Sequence, residues 1–255
     1  MLLENRIVIV TGAASPRGIG RATANALVAQ GARVVILDLR KEDAEAAAAD
    51  LGAGHLGLAC NVTDKDACVA AARITLERYG RIDGLVNNVG GTEIRKLDQL
   101  TDNDWQRSFE LNLMTAVRTT RAALPHMTRG SAIVNVSSTS GKRPSATFPD
   151  YSVFKAGLLS YSRLVADVHA SVGIRCNAVT PGPTGTDAWL GAGGLAEQQG
   201  DRDTVLERVA AGRPMGRLAE PGEIADVIVF LLSERASYVT GAAWSADGGT
   251  VPIII

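Results

Sequence analysis

The residues best equipped for chemistry are Tyr151 and Lys155, four apart in the run Tyr151-Ser152-Val153-Phe154-Lys155. At the start of a helix, that spacing places both side chains on one face, one turn apart. A free tyrosine titrates near ~10 and is a poor acid–base catalyst at neutral pH. An ammonium about 4 Å away, at an effective dielectric near 20, favours tyrosinate by roughly 4 kcal/mol. The expected consequence is a fall of about three pH units for Tyr151, into working range. Ser137 and Ser138 end an apolar run shortly before Tyr151. A hydroxyl at 138 beside the phenol would make two donors for a carbonyl oxygen as it gains negative charge. No G-x-S-x-G elbow surrounds Ser138 and no histidine is placed as its base, which argues against a serine hydrolase.

A second chemical signal is the loop TGAASPRGIG at residues 11–20. It follows an apolar run and precedes an amphipathic one, so its glycines lead into a helix N-terminus. There, unpaired N–H groups and the positive end of the helix dipole suit a phosphate. A P-loop is excluded, because no Lys-Ser/Thr pair follows Gly18. The next apolar run, RVVILD, ends in Asp38. A carboxylate there suits the two hydroxyls of an adenosine ribose and repels a 2′-phosphate. Asn87-Asn88-Val89-Gly90 closes a fourth apolar run. Such residues make ordinary turns, and they also stand where ligands bind in a doubly wound sheet.

These groups need elements to position them. Short β-branched runs at Arg6–Val10, Arg33–Leu37, His55–Cys60, Gly84–Asn87, Ala132–Ser137, Ile174–Val179 and Ala242–Ala246 read as strands. They are apolar at nearly every position, as in a parallel sheet buried on both faces. Helical patterns alternate with them at Gly20–Gln30, Asp43–Leu51, Asp64–Tyr79, Asp104–His126, Tyr151–Val172 and Pro221–Leu232. The alternation predicts an α/β fold, a three-layer Rossmann-type doubly wound parallel sheet. No linker or repeat divides the chain, so residues 1–255 read as a single domain. The stretch Gly182–Gly212 reads as one long irregular segment, and about 186–212 as a glycine-hinged lid over the substrate.

The bulk numbers agree. Hydrophobic residues are 46% and aromatics 4%, so the core is aliphatic. A net charge of -1 gives no nucleic-acid footprint. Cys60, Cys68 and Cys176, like His55, His126 and His169, are scattered, which points to no disulfide framework and no metal site. The N-terminal apolar run is too short for a signal sequence and no run reaches ~18 apolar residues, so a cytoplasmic protein off the membrane is expected. The apolar tail Pro252–Ile255 reads as a subunit-interface segment.

TGAASPRGIG, the acidic end of the second strand, NNVG, LNL around Asn112, NVSS, YSVFK, NAVTPGPTGT and SYVTGAAWSADGG, in this order, resemble the short-chain dehydrogenase/reductase superfamily across essentially the whole chain. The chain is similar overall to 3-oxoacyl-[acyl-carrier-protein] reductases and secondary-alcohol dehydrogenases. The resemblance implies a seven-stranded sheet of order 3-2-1-4-5-6-7 and hydride transfer between NAD(H) or NADP(H) and a secondary alcohol or ketone. It also implies a homotetramer, with a homodimer as the alternative. By position, the catalytic tetrad would be Asn112, Ser138, Tyr151 and Lys155. Tyr151 would be the general acid/base, and Ser138 would polarise the carbonyl. Lys155 would lower the tyrosine pKa and hold the nicotinamide ribose, and Asn112 would anchor a water relaying protons to Lys155. Coenzyme contacts would come from Gly12, Ser15, Arg17, Gly18, Ile19 and Gly20 in the loop. Asp38, Leu39, Asn61 and Val62 would line the adenosine side, and Asn88, Val89 and Gly90 the strand edge. Pro181, Gly182, Thr184 and Thr186 would meet the carboxamide, alongside Tyr151 and Lys155.

The sequence departs from the family pattern at three points. The loop carries five residues, AASPR, between Gly12 and Gly18 where the family usually has three. Longer loops of this kind occur in enoyl-reductase relatives, whose tyrosine spacing differs from YSVFK. Asn61 stands where the family has an adenine-contacting aspartate, and its amide oxygen can accept from adenine N6. Arg129 could be one of the two basic residues that often mark carrier-protein substrates, but the second position is Val172.

For the coenzyme, Arg17 and Asp38 point in opposite directions. The reading is NAD, with NADP as the alternative that Arg17 keeps open. The substrate is expected to be a carbonyl or alcohol, with 3-oxoacyl or 3-hydroxyacyl thioesters and cyclic or aromatic alcohols as candidates. Its wall is expected to include Thr92, Glu93, Lys142, Arg143, Phe148, Trp189 and Leu190, with Thr92, Phe148 and Trp189 joining Ser138 and Tyr151 at the substrate. Lys142 and Arg143 could meet an anion. The alternative from a different class is a non-catalytic dinucleotide sensor on the same fold. Such proteins typically lose the Tyr or the Lys, and both are present.

Overall fold

A computed structural model describes residues 1–252 of the chain. Most of the tail assigned to a subunit interface, residues 253–255, lies outside the described residues.

Seven strands, β1 (Ile7–Thr11), β2 (Arg33–Asp38), β3 (Leu56–Ala59), β4 (Gly84–Asn87), β5 (Ala132–Val136), β6 (Arg175–Pro181) and β7 (Ala243–Ala246), form one sheet. Every pairing is parallel, as the apolar strand runs predicted, and the order is 3-2-1-4-5-6-7, as the family resemblance implied. The helices are α1 (Ile19–Ala29), α2 (Lys41–Asp50), α3 (Lys65–Tyr79), α4 (Asp102–Phe109), α5 (Thr115–Ala123), α6 (Thr139–Lys142), α7 (Pro149–His169), α8 (Asp187–Leu190), α9 (Arg202–Ala211) and α10 (Pro221–Leu232).

Alternation along the strands builds two cores. Val8 and Val10 of β1 join Leu27 of α1, Ala44 and Ala47 of α2, and Ile224 and Ile228 of α10. Ile9 lies on the opposite face with Ala71 and Ala72 of α3, Ala122 and Ala123 of α5, and Val165 and Ala166 of α7. Alanine at so many helix positions lets the helices sit close to the sheet and leaves the filling to aliphatic strand residues. Strands β1, β4, β5 and β6 are buried along their whole length and β2 along all but its two end residues, whereas β3 is only partly covered and β7 is mostly exposed. Continuous burial was expected of all seven strands. The edge strands depart from it because each has a neighbour on one side alone.

Two further expectations are corrected. The single helix read at Asp104–His126 is interrupted by a π-helical turn at Glu110–Met114 and ends in a 3₁₀ turn, Leu124–His126. Asn112 sits in the π turn, and its amide is bonded to the backbone of Gly91. That is a tertiary contact no helical period encodes. The stretch read as irregular, Gly182–Gly212, holds α8, a 3₁₀ turn at Glu197–Gln199 and α9. Its glycines fall between these pieces. Asp201 caps α9 by accepting from Thr204 N at 3.0 Å, and Ala196, Val205 and Val209 form a small core of their own. No helix among the described residues is long and apolar enough to cross a membrane.

Candidate active site

The strand order reverses between β1 and β4, and ligands bind such sheets at the carboxyl ends of strands beside that switch. At that edge lies a cleft of about 870 Å³. It gathers Ser15, Gly18 and Ile19 from the loop, Asn88, Gly90 and Thr92 after β4, and Ser138, Phe148, Tyr151 and Lys155. Pro181, Gly182, Thr184, Thr186 and Trp189 close its other side.

The loop enters α1 at Gly18, and no side chain among the described residues caps that helix, which leaves its first N–H groups for a ligand. Gly20 is needed for close packing. A Cβ there would stand 2.5 Å from Gly12 O and 2.7 Å from Asn88 Nδ2. Asn88 braces the loop by donating Nδ2 to Thr11 O (3.1 Å) and Gly12 O (2.9 Å). The two additional residues are thus absorbed at the tip, and the glycine scaffold keeps its contact with β4. At the tip, Asp187 accepts from Ser15 Oγ at 2.6 Å and from Arg17 Nε at 2.7 Å. Those bonds hold the Asp187 carboxyl below the usual carboxylate range, the Ser15 bond contributing most.

Asp38, Leu39, Asn61 and Val62 lie outside the cleft lining, at and just beyond the ends of β2 and β3. The Asp38 carboxylate accepts from Ala14 N and Leu39 N, each at 2.8 Å, so its position is set by the backbone. Leu39 is exposed and Val62 buried. The Asn61 oxygen, offered to adenine on sequence grounds, accepts from Thr63 N (3.1 Å) and Thr63 Oγ (2.7 Å) in a local turn.

Ser138 Oγ accepts from Ser140 N at 3.1 Å and starts α6. Pro149 opens α7, placing Tyr151 in its first turn and Lys155 one turn on. Lys155 Nζ donates to Val136 O at 2.9 Å and lies 5.5 Å from the Tyr151 ring centroid. A Cβ on Gly90 would meet Lys155 Nζ at 2.7 Å and Asn112 Oδ1 at 3.0 Å, so the observed placement of these two side chains depends on a glycine there. Asn112 accepts from Gly91 N and donates to Gly91 O, both at 3.0 Å.

The expected depression of the tyrosine is not present in the protein alone. Burial pushes the Tyr151 phenol above its usual value, with a contact to Ser138 pulling the other way. Burial also lowers Lys155 from 10.5 to about 8. The lysine is itself desolvated and faces a backbone carbonyl, so it weakly offsets the cost of a buried tyrosinate.

Three wall expectations are corrected as well, because Glu93, Lys142 and Leu190 all lie outside the cleft lining. Lys142 Nζ donates to Ala243 O (2.7 Å) and Ser245 Oγ (2.9 Å), which ties it to β7 and away from the cleft, and Leu190 is not part of the lining. Glu93 pairs with Arg95. Sequence reasoning missed Asp187, whose meaning depends on the loop it meets. It also missed the buried amide network in which Asn87 Nδ2 donates to Asn135 Oδ1 (2.7 Å) and Asn135 Nδ2 to Ser162 Oγ (2.8 Å). Asparagines inside otherwise apolar strands were the available signal.

The doubly wound sheet with a glycine loop at its switch point is the architecture of a dinucleotide-binding protein. A family model described as enoyl-(acyl carrier protein) reductase matches residues 12–251. The chain is 37% identical to an uncharacterized short-chain type dehydrogenase/reductase of Sinorhizobium fredii, over 98% of each chain. It is 41% identical to cis-4-hydroxycyclohexanecarboxylate dehydrogenase of Sinomonas cyclohexanicum, over 96% of each. L-sorbose reductase from Gluconobacter frateurii, solved with NADPH and L-sorbose, superposes with a TM-score of 0.92 at 31% identity, covering 99% of this chain and 98% of that one. The chain belongs to the short-chain dehydrogenase/reductase family. It is an NAD(P)-dependent oxidoreductase acting on hydroxyl-bearing or keto carbons.

Proposed function

We propose that this protein moves a hydride between NAD and a secondary alcohol or ketone, with Tyr151 as general acid/base. The observation that carries the reading is the convergence of Ser138, Tyr151 and Lys155 on the cleft that also holds the uncapped start of α1. The donor set fits a nicotinamide dinucleotide: free N–H groups for the diphosphate, and a backbone-held carboxylate at Asp38 for ribose hydroxyls. When bound, the coenzyme supplies the hydride donor or acceptor.

The residues of the chain do the rest. Ser138 and Tyr151 orient the substrate oxygen. Tyr151 gives up or takes its proton, and Lys155 stabilises the phenolate while it is charged. Asn112 holds the backbone of Gly91, next to the Gly90 that lies against Lys155. The Tyr-x-x-x-Lys spacing favours carbonyl chemistry over the enoyl reduction that names the matching family model. The relatives named for a hydroxycyclohexane acid and for sorbose are, by name, enzymes of hydroxyl or carbonyl carbons.

The preference for NAD rests on two contacts. A 2′-phosphate brought to the backbone-held Asp38 carboxylate would meet a like charge. Arg17, the residue that argued for NADP, is paired with Asp187. Residues 186–212 act as the lid, joined to the loop through the same Asp187. Leu164, Val168 and Val172, exposed at four-residue spacing along and just past α7, fit a homotetramer contact.

The test is a spectrophotometric screen of both coenzymes against ketones, secondary alcohols and 3-oxoacyl thioesters. Tyr151→Phe should lower kcat roughly 10²- to 10⁴-fold. Near-wild-type turnover by that variant would refute the role, and a hundredfold better kcat/KM with NADPH would refute the coenzyme preference.

A further inference from the structure

The charged side chains lining the cleft are Arg143, Lys155, Asp187 and Arg213. Asp187 is bonded to Ser15 and Arg17, and Lys155 to Val136 O. Arg143 is exposed. Arg213 is different. It follows α9 directly, its backbone N–H closing on Ala210 O at 3.0 Å, and it stands in the wall between the main cleft and a smaller one of about 390 Å³. Trp189, Leu195 and Val209 line the same cleft and are apolar.

Among the described residues Arg213 has no acidic partner, and its Nε is shut off from water with no hydrogen-bond acceptor. The nearby carboxylates are engaged elsewhere: Asp247 with Gly249 N and Val251 N, Glu223 with Arg217. Burial without a partner also draws the Arg213 pKa below its ordinary value.

A buried guanidinium N–H without an acceptor is costly, and few such donors persist in folded proteins. The two Nη groups, which make no hydrogen bond among the described residues and are not shut off as Nε is, match a carboxylate with two parallel bonds. We infer that Arg213 is a substrate-specificity residue, and that the substrate is a hydroxy or oxo acid whose carboxylate, carried on an apolar skeleton, pairs with Arg213 while its carbinol or carbonyl carbon meets Tyr151. The inference rests on the oxidoreductase reading for the second contact alone. The first is a binding statement.

The test uses matched pairs that differ in charge: 3- and 4-oxocyclohexanecarboxylate, their methyl esters, and cyclohexanecarboxylate with its carboxamide as non-reacting ligands. Binding is read by calorimetry with NADH present, and turnover by NADH oxidation. The wild-type protein should bind the carboxylate at least tenfold more tightly than the carboxamide, and should favour oxo acid over ester in kcat/KM by roughly ten- to hundredfold. Arg213→Met, which keeps the apolar stem, should bring both ratios close to one, and Arg213→Lys should restore part of each. A purely structural arginine would lower acid and ester together and leave the ratios intact, which overturns the inference. So would an ester preference, a free acid outcompeted by its coenzyme A thioester, or a loss of NADH affinity in Arg213→Met as large as the loss for acids. Arginine-dependent carboxylate binding with no turnover of any compound would sink the oxidoreductase reading and leave this site standing. Turnover of neutral ketones without carboxylate binding would do the reverse.

Discussion

Lys155 should make the protein less stable than it would be without it. Its ammonium is buried beside a backbone carbonyl, and burial lowers its pKa from 10.5 to about 8. A lysine with a folded pKa below its unfolded value holds fewer protons when folded between those two limits. Stability therefore rises with pH from about 8 to 10.5, and the penalty is fully present below about 8. At about 1.36 kcal/mol per pH unit the penalty is roughly 3 kcal/mol. Lys155→Met removes it, retains most of the aliphatic stem, and loses the bond to Val136 O, worth about 1 kcal/mol. The coenzyme-free variant should thus be more stable by roughly 2 kcal/mol at pH 7, with turnover abolished. Urea denaturation of both proteins at pH 7 and pH 10 measures this. The gap should shrink or reverse at pH 10, because other titrating groups cancel in the difference. A variant no more stable at pH 7, or a gap independent of pH, would refute the claim that the lysine is held against its desolvation cost for the sake of chemistry.

The remaining predictions concern the coenzyme edge and the frame. Asp38→Ala should raise kcat/KM for NADPH relative to NADH by at least tenfold, and adding Asp187→Ala, which releases Arg17 from its pairing, should extend the shift. Steady-state kinetics with both coenzymes decides it. Gly90→Ala places a methyl group against Lys155 Nζ and Asn112 Oδ1, and should cut kcat at least a hundredfold while the thermal midpoint changes little. The Arg175 guanidinium donates to Leu231 O (2.7 Å), Ser233 O (3.0 Å), Leu232 O (3.3 Å) and Val239 O (3.3 Å), closing the C-terminal end of α10. Arg175→Leu leaves those carbonyls unpaired and should cost roughly 2–5 kcal/mol in denaturation experiments.

Much of this protein is legible in one dimension. The apolar strand runs, the alanine-faced helices and the glycine loop ahead of α1 are local patterns, and their alternation gives the doubly wound parallel class, while the sheet order came from the family resemblance. Tyr151 and Lys155 are four apart on one helix, and their neighbourhood is a matter of helical period. Asp38 ends a strand, and strand ends in such sheets face the ligand. What local pattern could not supply is whatever depends on two distant segments meeting. The π turn at Asn112 exists because Gly91 lies beside it. Arg17 reads as a free cation until Asp187, 170 residues on, is found against it. Residues 186–212 look irregular until short helices close over their own small core. The tyrosine shows the limit most plainly. Spacing placed a cation near it, but only the packed structure decided that both groups are desolvated, which reverses the direction of the expected pKa change.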